Sequence, residues 1–135
     1  MRKLPTLAVI ASVPFFASLA AAEPRWNPEE FADESTIELR TITPAGEPHW
    51  FPVWVVVLDG EPYVRLGNRA ARRIRENRTA PYVAVRVAGK VFERVRGVEA
   101  PEKAEAVAKA MGEKYWSDIV VRLFPHPLTL RLVPE

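Results

Sequence analysis

Six arginines fall within fourteen residues of this chain, Arg65, Arg69, Arg72, Arg73, Arg75 and Arg78, between the strand-like runs Tyr63 to Leu66 and Tyr82 to Val87. Guanidinium forks match phosphate oxygens bidentately. The first turn of a helix adds backbone N–H groups that have no intrahelical acceptor. A cationic helix start wedged between two strands is therefore predicted to hold a phosphate or another small anion. Two other readings exist for the same run: a solvated face whose charges pair with acids of another element or of a second subunit, or a nucleic-acid contact. The last is disfavoured, because no aromatic residue for base stacking lies between Gly67 and Ala80 and the chain beyond its first 22 residues has no net positive charge.

Few other residues offer chemistry. Cysteine is absent, which excludes disulfides, thiolate metal sites and cysteine nucleophiles. His49 and His126 have no Asp, Glu or His at ligand spacing, so neither a metal site nor an imidazole base is expected. His126, between Pro125 and Pro127, reads as a loop residue. Ser35 and Ser117 lack a nucleophile-elbow context, and no catalytic residue is assigned. Trp50, Phe51, Trp54 and Phe92 form either a ring-stacking platform or core, and aromatic side chains this dense on strands are more often core. Trp50 and Trp54 are placed on one strand face, and Trp116 at the edge of the core or at a subunit seam.

At the start of the chain, Arg2 and Lys3 precede an apolar run from Leu4 to Leu19 and then Ala20-Ala21-Ala22. This is the order of a secretory signal peptide cleaved after Ala22. The run is shorter than the ~20 residues that span hydrocarbon, and Pro5 and Pro14 interrupt it, so no membrane anchor is expected after cleavage. No arginines are paired, which favours the general secretory route to the periplasm or the exterior. Without those 22 residues, Lys plus Arg and Asp plus Glu stand at 17 each. The charge is unevenly placed: Arg65 to Arg96 holds nine arginines and Lys90 against only Glu76 and Glu93. One face is expected to be cationic. At this length a single domain is expected over 36–135, after an irregular leader over 23–35 that Trp26 and Phe31 pin to the body.

The elements that would position the arginines follow from periodicity. Alternation predicts a strand from Thr36, with Ile37 and Leu39 on one side, and Pro44 to Pro48 turns the chain. His49 to Leu58 is a β-branched and aromatic strand buried on much of both faces. Asp59-Gly60 is a hairpin signal leading into Tyr63 to Leu66. Asn68 is expected to cap a short helix reaching about Arg78. A second hairpin pairs Tyr82 to Ala88 with Lys90 to Val98, with a bulge near Glu93. Pro101, Glu102 and Glu105 open an amphipathic helix whose inner stripe is Ala104, Val107, Ala108, Met111 and Tyr115. Ile119 to Phe124 fits either helix or strand, and Leu128 to Val133 alternates as a closing strand. Most connections are too short for parallel crossovers, so the order predicts a mainly β fold, an antiparallel β-barrel with flanking helices.

In that order, Thr36 to Pro134 resembles the flavin-binding split-barrel superfamily, the group of pyridoxamine phosphate oxidase, and especially its small uncharacterised branch. Three pieces carry the resemblance: Gly46 to Val56, Gly60 to Arg65 with its basic continuation, and Asn77 to Val87, where Pro81 leads into Val83-Ala84-Val85. It implies a six-stranded antiparallel split barrel that pairs into a homodimer and binds FMN, or a deazaflavin, in a groove at the subunit boundary. It further implies that Pro52, Val53 and Trp54 line the flavin ring. Arg65, with Arg69, Arg72 or Arg73, would hold the phosphate, and Gly67 and Asn68 would open the helix beside it. Members often carry Ser or Thr directly after the arginine that ends this strand, where this chain has Leu66. The implied activity is that of a flavin-dependent oxidoreductase. The alternative is a non-enzymatic exported barrel that has lost its flavin and serves as a small-ligand or protein-interaction module.

Overall fold

The computed structural model describes residues 24–116 and 125–135. The expected signal peptide and the stretch 119–124 lie outside the described residues. Strands β1 (Ile37–Ile42), β2 (Pro48–Val53), β3 (Val55–Leu58) and β4 (Glu61–Leu66) come first in the chain's sheet. Along β1, Ile37, Leu39 and Thr41 are buried while their neighbours are half-exposed, as the alternation requires. At the β3–β4 hairpin Asp59 and Gly60 take φ of 52° and 78°. That pair of left-handed residues matches the twist of the flanking strands.

Strands β5 (Tyr82–Val87), β6 (Lys90–Glu99) and β7 (Leu128–Pro134) complete one seven-stranded sheet in the order β2-β1-β5-β6-β7-β4-β3. Every pairing is antiparallel. The two outermost strands, β2 and β3, are consecutive in the chain and separated by Trp54 alone. The sheet edges are thus tied together and it curls into a split barrel. The count of seven corrects the expected six for one reason. His49 to Leu58 bends at Trp54, so its first half pairs with β1 and its second with β4. Between the pairs Val83↔Val95 and Val85↔Phe92, β5 has only Ala84 while β6 has Glu93 and Arg94, which is the bulge expected near Glu93. Leu39, Val55, Val64, Val85, Val95 and Leu130 fill the barrel with at most 1% exposure.

The leader is not irregular throughout. Residues Pro28–Asp33 form a short helix, α1, whose N-cap Asn27 accepts a 3.0 Å bond from the Glu29 N–H. Six residues are too few to show a helical period, which is why the sequence reading missed it. Phe31 is fully buried and Trp26 packs on it at 4.7 Å and on Phe92 at 5.1 Å between ring centroids. The pinning role expected of Trp26 and Phe31 is therefore realised.

Helix α2 (Asn68–Arg75) follows β4. Its N-cap is Gly67, without a side-chain cap bond, and Asn68 lies inside the first turn rather than capping it. It ends at Arg75 instead of near Arg78, because Asn77 turns its amide inward and diverts the backbone. After a 3₁₀ turn at Pro101–Lys103, helix α3 (Ala104–Lys114) lies across β3 and β4. Val107, Met111 and Tyr115 face the body, whereas Ala104 is exposed and Ala108 half-exposed, so the inner stripe is narrower than expected. Trp116 is 92% exposed and does not cap the core, since the buried face of α3 ends one residue earlier.

Tyr115 latches the bend at Trp54. Its ring stacks on the Trp54 ring at 4.1 Å and 1° between planes. Its hydroxyl accepts from the Val55 N–H at 3.1 Å and lies 2.7 and 3.0 Å from the Ser35 and Val55 carbonyls. Lys114 beside it donates to the carbonyls of Glu34, Val55 and Phe31 at 2.7, 2.8 and 3.3 Å. Tyr115→Phe orphans the Val55 N–H and is expected to cost about 1–3 kcal/mol in urea denaturation.

The same variant has a pH signature. Burial raises the Tyr115 phenol above its ordinary 10.0. Its share of stability is therefore complete below that value and is lost as pH rises through the folded pKa. Burial lowers the Lys114 ammonium below its ordinary 10.5, against the pull of Asp33 and Glu34. The cost of burying that charge is present at neutral pH and fades as pH rises to 10.5. The two slopes oppose each other, and Tyr115→Phe removes the falling one.

Candidate functional site

The bend of the β2–β3 segment brings Pro52, Val53 and Trp54 against Arg65, Leu66 and Gly67 at the end of β4, around a hollow of about 160 Å³. Ala70, Met111 and His126 complete its wall. A second hollow of about 600 Å³ runs between His49, Trp50, Phe51 and Pro52 on one side and Gly67, Asn68, Arg69, Ala70 and Arg73 on the other. Pro52, Gly67 and Ala70 line both, so the two adjoin. Of the residues singled out from sequence, Pro52, Val53, Trp54, Arg65 and Gly67 meet in the first hollow, and Asn68, Arg69 and Arg73 in the second. Arg72 lines neither.

Local structure explains the convergence. Gly67 carries the chain from β4 into α2 beside Pro125, whose carbonyl oxygen would stand 3.7 Å from an added methyl group, an ordinary contact. Arg69 and Arg73 are one turn apart on α2, hence on one face, and both line the second hollow, which Arg72 does not. Leu66 is 1% exposed and packs into the barrel.

Among the described residues, nothing neutralises the charges of α2. Arg69, Arg72, Arg73 and Arg75 make no ion pair or hydrogen bond with any described residue, whereas Arg78 donates to the Pro44 carbonyl at 3.2 Å. The acids pair elsewhere: Glu93 with Arg40 at 3.0 Å, Glu30 with Lys90 at 3.0 Å, Glu38 with Arg86, and Glu135 with Arg94 and Arg96. Pairing of the α2 guanidiniums with acids of another element is therefore not found among the described residues. Four like charges on eight residues repel one another.

The aromatic residues resolve mainly into packing. Trp50 lies within β2 and Trp54 at the break between β2 and β3. Trp50 carries the Arg86 guanidinium at 4.1 Å and Arg40 at 5.6 Å, and one face of Trp54 is covered by Tyr115. Phe51 and Phe92 belong to the core cluster. His126 is what the sequence reading missed. It lines the first hollow and also a groove beyond it. The signal that could have revealed it is the pair of flanking prolines, each fixing φ and so its placement before β7.

Comparison with known proteins adds the fold and little more. No protein-family model matches the chain, and no curated protein matches it. Solved structures do. A conserved hypothetical protein from Mycobacterium tuberculosis is 24% identical with a TM-score of 0.60, over 80% of this chain and 78% of that one. HutZ, a haem storage protein from Vibrio cholerae, is 22% identical with a TM-score of 0.58, over 79% and 86%. An F420-H2 dependent reductase is 15% identical with a TM-score of 0.57, over 74% and 94%. The antiparallel sheet tied through Trp54, with a basic helix after β4, defines a split barrel. The chain shares that fold with these solved structures.

Proposed function

We propose that this chain is an exported, homodimeric split-barrel protein that binds a phosphorylated flavin, FMN or a deazaflavin, and works as an oxidoreductase. One observation carries the reading. The Pro52–Trp54 bend, Arg65 and the unpaired Arg69 and Arg73 converge on two adjoining hollows. The donor set fits the cofactor: an apolar wall for the ring, then guanidiniums and helix-start N–H groups where the phosphate would lie. Pro52, Val53 and Trp54 would orient the ring and exclude water from one side, and Arg65, Arg69 and Arg73 would hold the phosphate. The bound flavin supplies the hydride and electron chemistry. A second copy would close the open side of the hollows. Export rests on the leading segment, read as a signal peptide.

The test is a visible spectrum of the mature protein and a titration of FMN against the fluorescence of its tryptophans, of which the chain has four. A stoichiometric quench that is lost in the Arg65→Ala, Arg69→Ala double variant is the expected result. No quench at tens of micromolar FMN overturns the reading and favours the non-enzymatic barrel. The apolar Leu66 beside Arg65 is the feature that keeps that rival in play.

A further inference from the structure

The far end of α2 borders a cleft of about 330 Å³ that the flavin reading leaves unused, between the Ala80–Pro81 loop and strands β5, β6 and β7. Along β6, Val95, Gly97 and Glu99 stand opposite Pro134, Leu132 and Leu130 of β7, and directly opposed residues share a face. Leu130 and Leu132 belong to the core, so positions 97 and 99 face inward too. An inward strand position ordinarily carries an apolar side chain; here one has no side chain and the other a carboxylate. An added methyl at Gly97 would stand 3.5 Å from Leu130 Cδ1, in ordinary contact. The missing side chain therefore leaves open space over Leu130, and Ile74, Val83 and Leu130 give the cleft an apolar floor. Two charged residues line it, Arg75 and Glu99. Both are exposed, and neither makes an ion pair or hydrogen bond with the other or with any other described residue through its side chain. Asn77, also in the lining, has its amide engaged by Ile42, Thr79 and Tyr82.

We propose that this cleft binds an α-amino acid with an aliphatic side chain, its ammonium group on Glu99, its carboxylate on Arg75 and its side chain over Ile74, Val83 and Leu130. A simple anion is drawn to Arg75 and repelled by Glu99, and a simple cation meets the reverse. Only a ligand that carries both charges gains on both sides. Arg72, one turn before Arg75 and likewise unpaired, adds positive field on the α2 side and so fixes which end of the ligand faces which wall. The volume lies at the small end of the ~300–1,000 Å³ that ligand pockets span, which suits one amino acid and not a peptide. The cleft shares no lining residue with either flavin hollow, so its occupancy does not depend on a flavin.

The experiment titrates L-leucine into the mature protein and follows binding by calorimetry. Saturable binding of one leucine per chain is expected, weakened about tenfold in the isosteric Glu99→Gln, where a charge-assisted hydrogen bond is lost. The second probe is 4-methylpentanoate, which has the carbon skeleton of leucine without the ammonium group. It should bind the parent more weakly than leucine does and Glu99→Gln no less well than the parent, whereas Arg75→Gln should weaken both probes. Gly97→Val fills the cleft and should abolish leucine binding. The φ of Gly97 lies outside the left-handed region and valine favours strands, so this variant should melt no lower than the parent. Ala80→Phe, at an exposed loop position, is a second blocking change with the same expected loss. No saturable binding of leucine by the parent, equal binding by Glu99→Gln and the parent, or binding retained in either folded blocking variant overturns the proposal. A parent that binds leucine but not FMN sinks the flavin reading alone and leaves this site standing.

Discussion

Asn77→Ala is expected to lower stability by about 1–3 kcal/mol, because it strands the Ile42 N–H. Asn77 is 7% exposed. Its Oδ1 accepts from the Ile42 N–H at 2.9 Å, and from the N–H and hydroxyl of Thr79 at 3.2 and 3.0 Å. Its Nδ2 donates to the Tyr82 carbonyl at 2.8 Å. One amide thus fastens the end of β1 to the start of β5 and sets where α2 must stop. The Tyr82 carbonyl retains the Thr79 hydroxyl at 2.8 Å, so the Ile42 N–H bears most of the loss. Urea denaturation should show the midpoint falling with an unchanged slope. Thr79→Ala, which removes only the outer bonds, should cost about 1 kcal/mol. Equal losses in the two variants would show that the loop, and not Asn77, is the anchor. Because α2 and β5 flank this loop, Asn77→Ala should also weaken FMN binding while leaving every arginine in place.

Asn77 shows where sequence reasoning stops. Periodicity revealed β1, the hairpins and the buried faces of α3 because burial repeats at two or about four residues in each. Asn77 has no repeat. Its importance comes from partners at positions 42 and 82, brought near only by the pairing of β1 with β5. The bend at Trp54 escaped for a related reason. The run Val53 to Val57 reads as uninterrupted strand, and what breaks it is the need to join the two outermost strands of the sheet, with the Tyr115 hydroxyl, sixty residues away in sequence, taking up the Val55 N–H. The arginine cluster was legible since its charge is a local property. Its division of labour was not, as that depends on which face of α2 looks toward β2. His126 was dismissed on the absence of ligand-type neighbours in sequence, a test that a contact made through the fold does not meet.

The division of labour within α2 gives the second large effect. Arg73→Ala should weaken FMN binding by about 10–100-fold, the worth of a charge-assisted hydrogen bond of about 1.5–3 kcal/mol, and Arg69→Ala with Arg73→Ala together by more than about 100-fold. Arg72→Ala should change it by less than about threefold, because that guanidinium lines neither hollow and acts only through a field that salt screens over roughly 10 Å at 0.1 M. All three changes remove one positive charge per site from the same eight-residue helix. A general attraction between a basic face and an anionic ligand would make them equal and all would fade together as ionic strength rises. A built phosphate site makes them unequal at any salt concentration. Riboflavin, which lacks the phosphate, should bind the parent and both single variants alike. If Arg72→Ala weakens FMN as much as Arg73→Ala does, the anion lies on the outer surface of α2, and the hollow against Pro52 is not where the cofactor sits.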